Sequence, residues 1–157
     1  MGRDEPTDEL GRRIQLVIPT LSPVIRWFPG PMKEPGSYQA WLDPARIRWR
    51  QDLSQRDRNL AIVHELMHVA VHPPGDPEYD WDDYITRDEP CAHEAANRVA
   101  ALYEIPDYRE AMSRLGVAET EMREGVDPTA TTTMLERVTA LLESPHVRPV
   151  WAERIGN

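Results

Sequence analysis

Residues 59–72 leave no polar face for water: Leu60, Ala61, Ile62, Val63, Leu66, Met67, Val69, Ala70 and Val71 occupy every side of a helix drawn through them. A helix of that kind is buried all round, so whatever fold the chain adopts must wrap this segment. Ser54-Gln55-Arg56-Asp57 gives it a capping-box-like start, and Pro73-Pro74-Gly75 cannot continue it. Within it lie His64, Glu65 and His68. Two imidazoles and a carboxylate are costly in an apolar interior unless each has a partner.

His64 and His68 share one face of the helix, about 6 Å apart. That spacing lets two imidazoles grip one metal ion, which is half of a zinc site. Glu65, beside the first His, is placed to act as general base on an attacking water, the mechanical content of a His-Glu-x-x-His helix. The competing reading is a core helix whose histidines are satisfied by hydrogen bonds alone. His72 lies one further turn along, but three histidines on successive turns of a straight helix cannot converge on one ion. A helix-terminal His favourable to the dipole is the better reading there.

At 157 residues the chain has the size of one domain, 1–157. A formal charge of −9 argues against charge-driven binding to nucleic acid or anionic lipid. The single Cys91 excludes an internal disulfide framework and suits a reducing cytoplasm. The charged opening, residues 1–10, lacks the apolar core of a signal peptide, and no stretch approaches the ~18 apolar residues of a membrane span. A soluble, cytoplasmic protein is the expectation.

Ahead of the central segment, Thr7 is positioned to cap a short helix through Leu10 toward Leu16, stopped by Pro19. Residues 24–28 read as a strand between turns, and two more follow at 37–41 and 46–50, joined across Asp43-Pro44. In the last of these, Ile47 and Trp49 take one face and Arg46, Arg48 and Arg50 the other. The arginine row is either a solvated strand face or an edge that meets a substrate or an acidic partner. After the central helix, the acidic loop 73–88, bearing Tyr79, Trp81 and Tyr84, is a solvated connection, with a role in covering a cleft as its alternative. Residues 89–106, alanine-rich between Pro90 and Pro106, read as a second long helix with His93 and Asn97 on one face. Shorter helices follow at 108–115, 119–124 and 131–143, then a tail with a last helical turn near Trp151.

Four pieces, in order, resemble the ImmA/IrrE family of zinc metallopeptidases. They are Gly36-Ser37-Tyr38 ahead of a strand, Ile47 in the next strand, the segment from His64 to His72, and Asn97-Arg98-Val99-Ala100-Ala101-Leu102-Tyr103-Glu104-Ile105-Pro106. The likeness covers residues 36–106 and leaves 107–157 as a C-terminal helical extension. It implies an α+β fold, a small antiparallel-type sheet packed on a helical core, with a zincin-like site in which Zn2+ is held by His64, His68 and a third ligand on the second helix. Family members carry that ligand as a Glu four residues before the Asn; here the position is His93, and Glu94 follows it. Zinc accepts imidazole nitrogen or carboxylate oxygen. His93, one turn from Asn97, is favoured over Glu94, which points about 100° further round the helix. Asn97 would orient a metal-bound His, and Tyr38 is a candidate to stabilise an oxyanion, with packing in the sheet as its alternative.

The resemblance further implies a zinc-dependent endopeptidase of narrow specificity, with Glu65 as general base and a helix-turn-helix repressor as its protein substrate. It would be a short form, without the sensor domain of longer family members. The competing expectation is a regulatory protein that keeps the fold and holds a partner without cleaving it. Residues 125–138 resemble the turn and second helix of a helix-turn-helix but carry almost no Lys, Arg, Asn or Gln to read bases. A structural helix is therefore expected there, and direct nucleic-acid binding is not.

Overall fold

Helix α2 (Gln55–Val71) is the axis of the computed structural model, which describes residues 8–77, 87–122 and 127–155. Every residue of α2 from Asn59 to Ala70 is buried, as its missing polar face requires. Ser54 caps it, the hydroxyl accepting from the Asp57 amide at 3.1 Å, and it ends at His72 ahead of the Pro-Pro-Gly stop. Strands β1 (Ile25–Gly30), β2 (Gly36–Gln39) and β3 (Ala45–Arg50) precede it, and α3 (Glu89–Leu102), α4 (Tyr108–Arg114) and α5 (Pro128–Glu143) follow. The sheet covers α2 through β2 and β3, while α3 and α5, which also pack on each other, cover much of the rest, with smaller contributions from helix Glu9–Leu21 and the turn Val150–Ala152. The α+β class is thus as expected. Among the described residues no helix is long and apolar enough to cross a membrane.

The sheet is mixed rather than of antiparallel type. Its order is β1-β3-β2, with β2 antiparallel and β1 parallel to β3. The short link across Asp43-Pro44 forces β2 and β3 to pair antiparallel. No direct link joins β1 to β3; the chain passes through β2 first, and β3 then inserts beside β1 running the same way. Ile47 of β3 is fully buried between Trp27 and Tyr38 on the neighbouring strands. The arginine row is half-buried instead of solvated. Arg48 lies over the Phe28 ring at 5.7 Å, and Arg50 donates to the Lys33 carbonyl at 2.9 Å.

Helix α1 (Glu9–Leu21) starts at Asp8, whose carboxylate accepts from the Gly11 amide at 2.6 Å. Thr7, expected as its cap, lies outside the described residues. The helix runs through Pro19 instead of stopping there, because the buried stripe Leu10, Ile14, Val17, Leu21 continues across it. The Thr20 and Ser22 hydroxyls bond the Leu16 and Ile18 carbonyls in the same turn. Helix α3 stops at Leu102, short of Pro106, where Glu104 takes a positive φ of 65°. A 3-10 turn, Glu119–Met122, stands at the start of the expected 119–124 helix. Helix α5 begins at Pro128 because Asp127 caps it, accepting from the Thr129 amide at 3.0 Å. Its buried face, with Met134, Val138, Leu141 and Leu142, packs on α2 and α3, which makes it a structural helix. Residues 78–86 of the acidic loop lie outside the described residues.

Candidate metal centre

Helices α2 and α3 face each other across a cluster of donors. From α2, His64 and His68 bring their Nε2 atoms to 3.2 Å, with ring planes crossing at 78°. From the first turn of α3, Glu89 sends Oε1 to 2.9 Å from His64 Nε2 and 2.6 Å from His68 Nε2. Ligand atoms around a tetrahedral ion with bonds of about 2.0–2.1 Å stand roughly 3.3 Å apart, so these separations are of an ion's order. Crossed ring planes let two in-plane lone pairs meet at one point. His64, His68 and Glu89 therefore form a set able to hold a metal ion.

Glu65 lies beside this set, its Oε2 3.9 Å from His64 Nε2. Its Oε1 is buried and has no hydrogen-bond partner among the described residues. Burial pushes the Glu65 carboxyl up to about 8, against the pull of His64. For His64, burial alone would lower the pKa, but the carboxylates of Glu89 and Glu65 more than offset it and raise it to about 9. Burial also opposes ionisation of Glu89, yet His64 and His68 hold its carboxyl well below the usual range. His68 is lowered by burial. The negative field that favours a proton on His64 favours a divalent cation in the same place.

His93, expected as the third donor, stands beside this set rather than in it. Its ring stacks on His64 at 4.0 Å and 29°, and its Nε2 is 3.8 Å from Glu89 Oε2. A metal lies in the plane of each imidazole that binds it, so two nearly parallel rings do not aim at one ion. Burial, reinforced by His64, holds His93 well below the usual histidine range. Glu94, the alternative third donor, is turned away and paired with Arg98 at 2.8 Å and with Arg109. The donor that joins His64 and His68 is Glu89, which sequence reasoning took only as the start of a helix. The signal was present: Glu89 precedes His93 by one turn and shares its face.

Tyr108, also missed, opens α4 and places its hydroxyl 2.8 Å from His93 Nδ1 and 3.4 Å from His64 Nδ1. It holds the ring that Asn97 was expected to orient. Both ends of α4 are clamped to the first turn of α2, Arg56 pairing with Asp107 at 2.5 Å and Asp57 with Arg114 at 3.0 Å. The Tyr38 hydroxyl donates to the His72 carbonyl at 2.7 Å, which is the packing role and not that of an oxyanion donor. His72 itself reaches Asp88 at 2.6 Å and Asp76 at 3.1 Å, tying the end of α2 to the residue before Glu89.

The donors open on a cleft of about 540 Å³ whose lining includes Gly36–Gln39 of the edge strand β2, together with Glu34 and Glu121. Gly36 permits the approach of strand to site: a Cβ there would stand 3.2 Å from both Glu65 Oε2 and the Arg48 carbonyl. Comparison with protein-family models, with curated proteins and with solved structures gave no match.

Proposed function

We propose that this chain is a zinc-dependent endopeptidase of the kind its resemblance to the ImmA/IrrE family implies, with His64, His68 and Glu89 as metal donors and Glu65 as general base. The observation that supports it is the convergence of two imidazoles and one carboxylate beside a buried carboxylate, one of whose oxygens has no partner among the described residues. Two His and one Glu, open on one side, are a donor set that suits catalytic zinc. When bound, zinc supplies a Lewis acid that polarises the scissile carbonyl and acidifies the attacking water.

The chain's own residues supply the rest. Burial brings the Glu65 carboxyl near neutrality, and a neighbouring cation lowers it toward the ionised form that accepts a proton from water and passes it to the leaving amine. Strand β2 lines the cleft beside the donors, and an extended peptide would lie along it. A helix-turn-helix repressor as the substrate follows from the resemblance alone.

The test is Glu65→Gln with a repressor encoded beside this chain. Cleavage should fall by at least ~10³-fold while zinc content and repressor binding persist. If regulation survives the substitution undiminished, the chain acts by holding its partner, and the peptidase reading is lost.

A further inference from the structure

His93 has the attributes of a metal ligand but no place in the first donor set. It is 2% exposed, and its Nδ1 meets the same Tyr108 hydroxyl that stands beside His64 Nδ1. A phenol oxygen can accept from two N–H groups at once. With Tyr108 accepting from both rings, each Nε2 is left as a lone pair, and the stacked rings present the two side by side.

Each lone pair then meets a different oxygen of one carboxylate. His64 Nε2 is 2.9 Å from Glu89 Oε1, and His93 Nε2 is 3.8 Å from Glu89 Oε2. The longer distance is no hydrogen bond, but it leaves room for an ion between the two atoms. Glu121 brings a third donor, and one ligand atom from each of Glu89, His93 and Glu121 falls within 4.8 Å of the others.

Charge points the same way. Glu34, Glu65, Glu89 and Glu121 line the cleft, with Lys33 the one Lys or Arg among its described lining residues.

We propose that Glu89, His93 and Glu121 form a second cation site beside the first, with Glu89 bridging the two, so that the cleft takes a pair of zinc-class divalent ions. This rests on the reading of His64, His68 and Glu89 as the first site.

The test uses the full chain, stripped of metal by chelator, then loaded with zinc alone and cleared of excess. Stoichiometry is read by native mass spectrometry and elemental analysis, and folding by thermal melts. Two zinc ions per chain are expected, falling to one in His93→Ala and one in Glu121→Gln, and staying at two in Glu94→Gln. Glu121 sits part-exposed in a 3-10 turn, so its substitution leaves the core intact. A single zinc in the native chain and in both variants overturns the second site and leaves the first standing. One zinc in the native chain and none in His93→Ala overturns it as well, because His93 then belongs to the first set. Two zinc ions indifferent to both substitutions place the second ion elsewhere and likewise overturn the site. No zinc in any form sinks both readings.

Discussion

Glu89 Oε1 lies 2.6 Å from His68 Nε2, although the two residues are 21 apart in sequence and sit on different helices. That contact makes Glu89 the donor on which zinc retention should depend most. Glu89→Ala is expected to weaken zinc binding by more than the ~10–100-fold typical of groups that merely orient ligands. Glu94→Ala should keep zinc and lose only stability, since its buried carboxylate is committed to Arg98 and Arg109. Competition with a chromophoric chelator, alongside thermal melts, separates the two. Zinc retained by Glu89→Ala and lost by Glu94→Ala would reverse the assignment.

Tyr108→Phe removes one oxygen and keeps the ring. The ring is fully buried in the core, so the fold should persist with a loss of about 1–2 kcal/mol from the missing hydrogen bonds. Zinc affinity should fall ~10–100-fold, because neither His93 nor His64 keeps the group that fixes its Nδ1 side. Unchanged zinc affinity in a stable Tyr108→Phe protein would mean that the hydroxyl only packs.

These two expectations mark where sequence stopped being legible. Helix α2 could be read whole, because its caps, its missing polar face and its Pro-Pro-Gly stop are all local. His64, Glu65 and His68 came with it, fixed by helical period. Which residue of α3 completes the set was not local. Glu89 and His93 share a face, and only the placement of α3 against α2 decides which reaches between the histidines. Tyr108 had no sequence signal, since its contacts cross 15 residues to His93 and 44 to His64. The parallel β1–β3 pairing was hidden for the same reason, as no turn joins the two strands. Pro19 misled differently: a rule about helix interiors lost to an apolar stripe that continued past it.

The clamp at the start of α4 carries a pH signature. Asp107 takes two hydrogen bonds from Arg56, at 2.5 and 3.2 Å, and these hold its carboxyl below the usual range. A carboxyl lowered in the folded state stabilises it above the unfolded value of about 3.9 and loses that contribution as pH falls through the folded value. Both side chains are more than a third exposed, so solvent screening limits the effect to ~0.2–1 kcal/mol. Asp107→Asn should therefore lower the urea midpoint slightly at pH 7, with the gap to the native chain closing only as pH falls below about 4. A gap that widens toward acid would contradict the pairing.

Gly36 sets the distance between strand β2 and the base. A Cβ at this position would meet Glu65 Oε2 and the Arg48 carbonyl at 3.2 Å each, tighter than ordinary van der Waals contact. The Arg48 carbonyl belongs to the paired strand and yields little, so the Glu65 carboxylate is the neighbour that moves. Glu65 is no donor in the His64, His68, Glu89 set, and zinc content should stay as it is in the native chain. Peptide cleavage should instead fall, by roughly 10-fold for a displacement of a few tenths of an ångström, given that 1 Å can cost ~10²-fold. The loss should appear in kcat more than in KM, because the base acts on the reacting atoms and not on the bound peptide. A Gly36→Ala protein that loses zinc would show that the strand supports the donors themselves, and one that keeps full activity would remove Gly36 from any part in placing the base.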